Sequence, residues 1–209
     1  MKQKTILKLP KLIGHRGVKN LCPENTIESI NKAFDLGLKF VEIDVKISQD
    51  GIPILLHDDT IDRTTGGEGL VSKLNYKYLQ TLDAGKHFYG RKTNNLIPKL
   101  SDVLKLCKKR NGNLNIELKP NKGFERDNVQ SIAKILSKYK FSNQYFFSSF
   151  DLNSLIIMKE IFPSASYSLL LSDFNKDTSL DNIISIANKY NFFCFGINKD
   201  IINLEIIEK

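Results

Sequence analysis

Two short stretches carry acidic residues at a spacing that an extended chain would turn into a site. In residues 40–46 (FVEIDVK), Glu42, Asp44 and Lys46 alternate with Val41, Ile43 and Val45. In residues 114–119 (LNIELK), Asn115, Glu117 and Lys119 alternate with Leu114, Ile116 and Leu118. Alternate residues of a strand share a face. Both stretches would therefore turn an aliphatic face toward packing helices and a polar face the other way. Three carboxylates pointing inward need a cation or hydrogen-bond donors beside them. Oxygen ligands of this kind suit a hard divalent ion, Ca²⁺ or Mg²⁺. Either strand alone reads more simply as structural ion pairs, such as Glu117 with Lys119.

Two of the three histidines stand beside these stretches. His15 ends a first strand and begins the turn His15-Arg16-Gly17, and His57 ends a third strand after Ile54, Leu55 and Leu56. C-terminal strand ends are where parallel α/β folds build active sites. Imidazole exchanges protons near neutral pH. Arg16 offers a planar fork for a phosphate, or a salt bridge to one of the inward carboxylates. Asp58 could orient a neighbouring group or cap the turn that follows it, and the structural role is the expectation. His87 is expected on a loop or the surface. A metal, cationic side chains and an acid/base pair on one rim suit attack on a phosphoryl centre.

The elements that would position these residues alternate in type. Strands are expected at residues 12–14, 40–46, 53–57, 114–119, 144–150, 167–171 and 192–197. Helices are expected at 25–36, 101–109, 127–140, 151–161 and 179–190. Asn25 and Glu28 form a capping-box-like pair at the first helix, with Ile27, Ile30 and Phe34 on one face and Gly37 closing it. Residues 60–98 lack a clear period and read as loops marked by Gly66, Gly67, Gly69 and Gly90. Strands separated by helices of this length imply a parallel sheet with right-handed crossovers. A (β/α) barrel fits best, ahead of a doubly wound open sheet. No linker or repeat divides the chain, so residues 1–209 are expected to form a single domain.

Composition removes several alternatives. The net charge is +8, but lysine outnumbers arginine 26 to 5 and is spread along the chain. Nucleic-acid readers favour clustered basic stripes and Arg forks, so no nucleic-acid partner is expected. Three cysteines without a CxxC pair argue against a disulfide framework. The N-terminal stretch has no uninterrupted apolar run. A cytoplasmic enzyme without stable membrane insertion is the expectation.

The chain resembles the glycerophosphodiester phosphodiesterase family. The matching text runs in family order from about residue 12 to about residue 150: IGHRG, PENTIESINKAFDLG, FVEIDVKISQDGIPILLHD, DRTTGGEG, IPKLSDVL, LNIELK and FFSSF. The resemblance implies a TIM barrel of the (β/α)8 type and divalent-metal hydrolysis of a small glycerophosphodiester to glycerol 3-phosphate and an alcohol, through a cyclic phosphate. It places the metal ligands on Glu42, Asp44 and Glu117 and the catalytic histidines on His15 and His57. Arg16 and Lys119 match positions that contact the phosphate or neighbour the metal. Family members usually continue with two more strand–helix units, one containing a Trp-Thr strand. This sequence has no tryptophan and stops at Glu208-Lys209, so a barrel missing its last two βα units is expected. Competing readings are a lysophospholipase D-like or phosphoinositide-type phosphodiesterase on the same barrel, and an inactive truncated remnant. The sequence leaves open the head-group alcohol, the metal, which histidine is acid and which base, whether the missing units leave the chain active, and the oligomeric state.

Overall fold

The computed structural model describes residues 7–141, 144–173 and 179–202. Six strands form one sheet: β1 (Phe40–Ile47), β2 (Pro53–Leu55), β3 (Asn113–Leu118), β4 (Tyr145–Ser149), β5 (Ser166–Leu171) and β6 (Cys194–Ile197). The spatial order is β2-β1-β3-β4-β5-β6. From β1 through β6 the pairs are parallel. The crossovers carry α4 (Leu100–Arg110), α5 (Glu125–Tyr139), α6 (Leu152–Ile161) and α7 (Leu180–Tyr190); α1 (Ile27–Asp35) precedes β1, and two one-turn helices, α2 (Tyr76–Leu79) and α3 (Lys86–Tyr89), follow β2.

The aliphatic face of the sheet makes the main core. Val41, Ile43, Val45, Leu114, Ile116 and Leu118 pack against α4 and α5 through Val103, Leu104, Cys107, Val129, Ile132 and Leu136. The opposite face keeps the register of the polar residues. Asp44 stands opposite Glu117, and Glu42 opposite Asn115. Glu117 in turn stands opposite Ser148. The period-2 reading of both stretches therefore holds, and the two strands lie side by side.

Several expectations need correction. The strand at residues 12–14 shrinks to one parallel bridge between Gly14 and Val41, because the turn begins at once with Arg16 and Gly17 at positive φ. A side chain on Gly17 would overlap Ser29. The strand around residues 53–57 runs antiparallel to β1, with Leu55 opposite Val45 and Pro53 opposite Ile47. Its link, residues 48–52, is too short for a parallel crossover, which needs a dozen or more residues. His57 therefore does not end a parallel strand; the hairpin folds it back along β1, where Leu56 N donates to Asp44 O. Finally, Thr26 rather than Asn25 caps α1, its side chain accepting from Ser29 N. Asn25 sits at φ 55 and is used elsewhere. Ile27 is 38% exposed, whereas Ile30 and Phe34 are buried. Gly37 closes α1 at φ 84 as expected.

Residues 60–98 are more organised than loops. Ile61, Val71, Leu79, Ala84 and Ile97 join Ile54 and Leu56 in a second small core. Glu28 on α1 pins this segment by accepting from Tyr89 Oη and Asn95 Nδ2, both at 2.6 Å. His87 lies exposed on α3, as expected.

Ile43 is fully buried. Ile43→Ala should destabilise the chain by about 2–5 kcal/mol in denaturant unfolding. The same change at half-exposed Ile27 should stay within roughly 0.5 kcal/mol. Equal costs at the two positions would contradict the assignment of faces.

Candidate active site

The polar face of β1 and β3 gathers three carboxylates. Glu42, Asp44 and Glu117 each offer an oxygen, and these oxygens lie within 4.8 Å of one another. All three residues are buried, Asp44 to 1% exposure. Two oxygens bound to one Mg²⁺ or Ca²⁺ at about 2.0–2.6 Å can be no more than about 5 Å apart, so the cluster fits a single ion. A second observation points the same way. Glu42 Oε1 and Asp44 Oδ1 are buried without a hydrogen-bond partner, a cost that a cation would remove.

The cations beside the cluster do not neutralise it. Lys119 Nζ is 3.0 Å from Glu117 Oε1 and 3.6 Å from Asp44 Oδ1. Arg16 Nε is 3.2 Å from Asp44 Oδ2. Burial, then the charges of Asp44 and Glu117, push the Glu42 carboxyl well above its usual range. Burial followed by the charge of Asp44 raises Glu117.

His15 and Arg16 reach the cluster on a strained turn. Arg16 has φ 50 and Asn25 has φ 55, conformations that cost of order 1–3 kcal/mol each for non-glycine residues. Local bonds hold both in place. Arg16 O accepts from Asn25 N and from Ser29 Oγ, and Arg16 N donates to Glu42 Oε2 at 2.8 Å. Asn25 then grips Asp44 twice, donating from Nδ2 to Oδ2 and accepting from Asp44 N. This turn places His15 Nε2 3.9 Å from Glu42 Oε2. Burial, then Lys19 and Arg16, lower the His15 pKa to about 4, so its ring is neutral.

His57 comes from the β2 side. Its Nδ1 lies 2.6 Å from Asp58 Oδ1. Arg63, through its hydrogen bonds, is the largest influence holding Asp58 at a pKa of about 2. An ionised Asp58 can only accept, so Nδ1 carries the proton and Nε2 the lone pair. Burial lowers the His57 pKa below its usual value. Asp58 thus orients a neighbouring group and does not merely cap a turn. Lys46 is fully buried and reaches from β1 to Asp58 O and Asp59 Oδ1 at 2.6 and 2.8 Å, which ties the His57 loop to the carboxylate strand.

The structure thus brings His15, Arg16, Glu42, Asp44, His57, Glu117 and Lys119 to one place. Reading individual residues did not find Asn25, Glu24 or Arg63. Their signal lay in the quoted stretches PENT and DRTT, which have no period or charge pattern of their own. Arg16 is engaged by Glu24 as well as Asp44, with Nη1 to Oε1 at 2.9 Å.

The repulsion has a measurable sign. A carboxyl raised by folding contributes stability at low pH and loses it as pH rises from its unfolded value through its folded one. In the presence of chelator, Glu42→Gln should therefore stabilise the chain by about 1 kcal/mol or more at neutral pH. That gain over the native sequence should grow as pH rises above the usual glutamate range in denaturant unfolding. A destabilised, pH-independent variant would contradict the described electrostatics.

The chain has counterparts among known proteins. The model of the "Glycerophosphoryl diester phosphodiesterase family" matches residues 15–192. A glycerophosphodiester phosphodiesterase of Caldanaerobacter subterraneus subsp. tengcongensis is 34% identical over 159 residues, 76% of this chain. The match spans 65% of that relative's length, less than two thirds. One from Bacillus altitudinis is 29% identical over 93% of this chain and 81% of its own length. The structure of an Oleispira antarctica phosphodiesterase in complex with the product sn-glycerol-3-phosphate superposes with a TM-score of 0.89 at 30% identity, covering 96% of this chain and 79% of that one. The fold is the TIM-barrel-like α/β fold expected, and the chain belongs to the glycerophosphoryl diester phosphodiesterase family.

Proposed function

We propose that the chain hydrolyses glycerophosphodiesters to glycerol 3-phosphate and an alcohol, with His15 and His57 moving the protons. The observation that carries this reading is the cluster of three buried carboxylates, with His15 3.9 Å from Glu42 and His57 held by Asp58. The bound product of the Oleispira antarctica neighbour supports the same substrate class. A divalent ion, Mg²⁺ or Ca²⁺, held by Glu42, Asp44 and Glu117 would supply Lewis-acid polarisation of a phosphoryl oxygen.

The chain's own residues do the rest. Arg16 and Lys119 offset the negative charge of the phosphodiester. His57, tied at Nδ1 by Asp58, presents Nε2 to accept the proton of the attacking hydroxyl. His15 gains a proton when the anionic phosphodiester arrives beside it, and gives it to the departing alkoxide. The attack closes a cyclic phosphate as the P–O bond to the alcohol breaks. Water then opens the ring, giving a proton to His15 while His57 returns its own to the ring oxygen, so the sum is one water consumed and one alcohol released.

A cytoplasmic setting fits three cysteines that form no disulfide with one another. Among the described residues, no helix is long and apolar enough to cross a membrane. One observation favours lysophospholipids as a second substrate class. Phe150 is 52% exposed, and Lys119 Nζ lies 5.6 Å from its ring centroid, which places an apolar platform beside the site.

His15→Ala and His57→Ala should each lower turnover of glycerophosphocholine by roughly 10²-fold or more, while the thermal shift produced by added Mg²⁺ or Ca²⁺ persists. Chelator should stop glycerol 3-phosphate release by the native chain. A double variant that still released product would refute the acid/base roles. Faster turnover of lysophosphatidylcholine than of glycerophosphocholine would favour the second class.

A further inference from the structure

Arg63 is half-exposed, yet its guanidinium makes four hydrogen bonds to two carboxylates from separate loops. Nη1 and Nη2 donate to Glu24 Oε2 and Oε1 at 2.9 and 2.6 Å. Nε and Nη2 donate to Asp58 Oδ2 and Oδ1 at 2.6 and 3.1 Å. Each carboxylate has a second partner that belongs to the site. Glu24 Oε1 also accepts from Arg16 Nη1. Asp58 Oδ1 also faces His57 Nδ1. One planar fork therefore brackets the loop that carries His15 and Arg16 and the loop that carries His57.

We infer that Arg63 is a positioning residue: through Asp58 it fixes the tautomer and orientation of His57, and through Glu24 it fixes the reach of Arg16. Magnitudes separate this from a plain stabilising role. Ion pairs at exposed sites contribute little to folding, with a median near 0–1 kcal/mol. Partners that orient a working side chain typically matter by roughly 10–100-fold in activity. A lysine could keep the charge but not the double bidentate geometry. The inference rests on the proposed roles of His57 and Arg16, and the experiment keeps the two apart.

The test uses the full chain. Its three histidines allow the ring nitrogens of His57 to be identified in ¹⁵N NMR by comparison with His57→Ala. In chelator at neutral pH, the native chain should show His57 protonated at Nδ1, and Arg63→Ala and Arg63→Lys should both shift it toward the Nε2-protonated form. With metal, Arg63→Ala should lower kcat for glycerophosphocholine roughly 10–100-fold and raise KM through the loosened Arg16. Asp58→Asn should lower kcat with KM near native, because it leaves Glu24 and Arg16 in place. Melting temperatures should stay close to native.

Native His57 nitrogen signals in Arg63→Lys, together with native kcat, would overturn the inference while leaving the proposed hydrolysis intact. A tautomer shift in a chain that hydrolyses no glycerophosphodiester would sustain the positioning role and remove the proposed activity. An unchanged tautomer with a large loss of melting temperature would make Arg63 structural and also overturn the inference.

Discussion

Three buried carboxyl groups, each with an oxygen within 4.8 Å of the others, are the constraint around which this molecule is arranged. Such a cluster disfavours the metal-free fold, since burial and mutual repulsion both oppose ionisation. The aliphatic faces of the same strands hold it together. Val41, Ile43 and Val45 pack on one side of β1 while Glu42 and Asp44 are held on the other. Each carboxylate is set by the parity of a strand whose opposite parity builds the core. Moving a carboxylate by one residue would move the core residues too.

Around the cluster stand groups that orient without neutralising. Asn25 grips Asp44, the backbone of Arg16 grips Glu42, and Lys119 bonds Glu117. Strain at Arg16 and Asn25 is stored in the same turn that presents His15. On the other side, buried Lys46 and the Arg63 bracket hold the His57 loop. Local rules are broken most where the chemistry is expected, which is the pattern of sites that give up stability for function.

Much of this was legible in the sequence for identifiable reasons. Alternation along β1 and β3 gave the faces of Glu42, Asp44 and Glu117 because strand parity is geometric. The helices over the core were legible from their apolar spacing. The antiparallel course of β2 has its signal in the short link at residues 48–52, which excludes a crossover, and not in the strand's own period. The cap of α1 fell on Thr26 because Asn25 was recruited by Asp44, a partner distant in sequence. The core inside residues 60–98 has no period to read, since its apolar residues come from turns and one-turn helices. Arg63 and Glu24 could be located only as text shared with a family; their roles are visible in distances alone.

The central claim is that Glu42, Asp44 and Glu117 form one divalent-ion site. Isothermal titration of the chelator-treated chain with Ca²⁺ or Mg²⁺ tests it directly. The account predicts one ion per chain for the native sequence and a loss of at least about tenfold in affinity for Asp44→Asn and for Glu117→Gln alike. Native-strength binding in either variant, or no binding by the native chain, would contradict it.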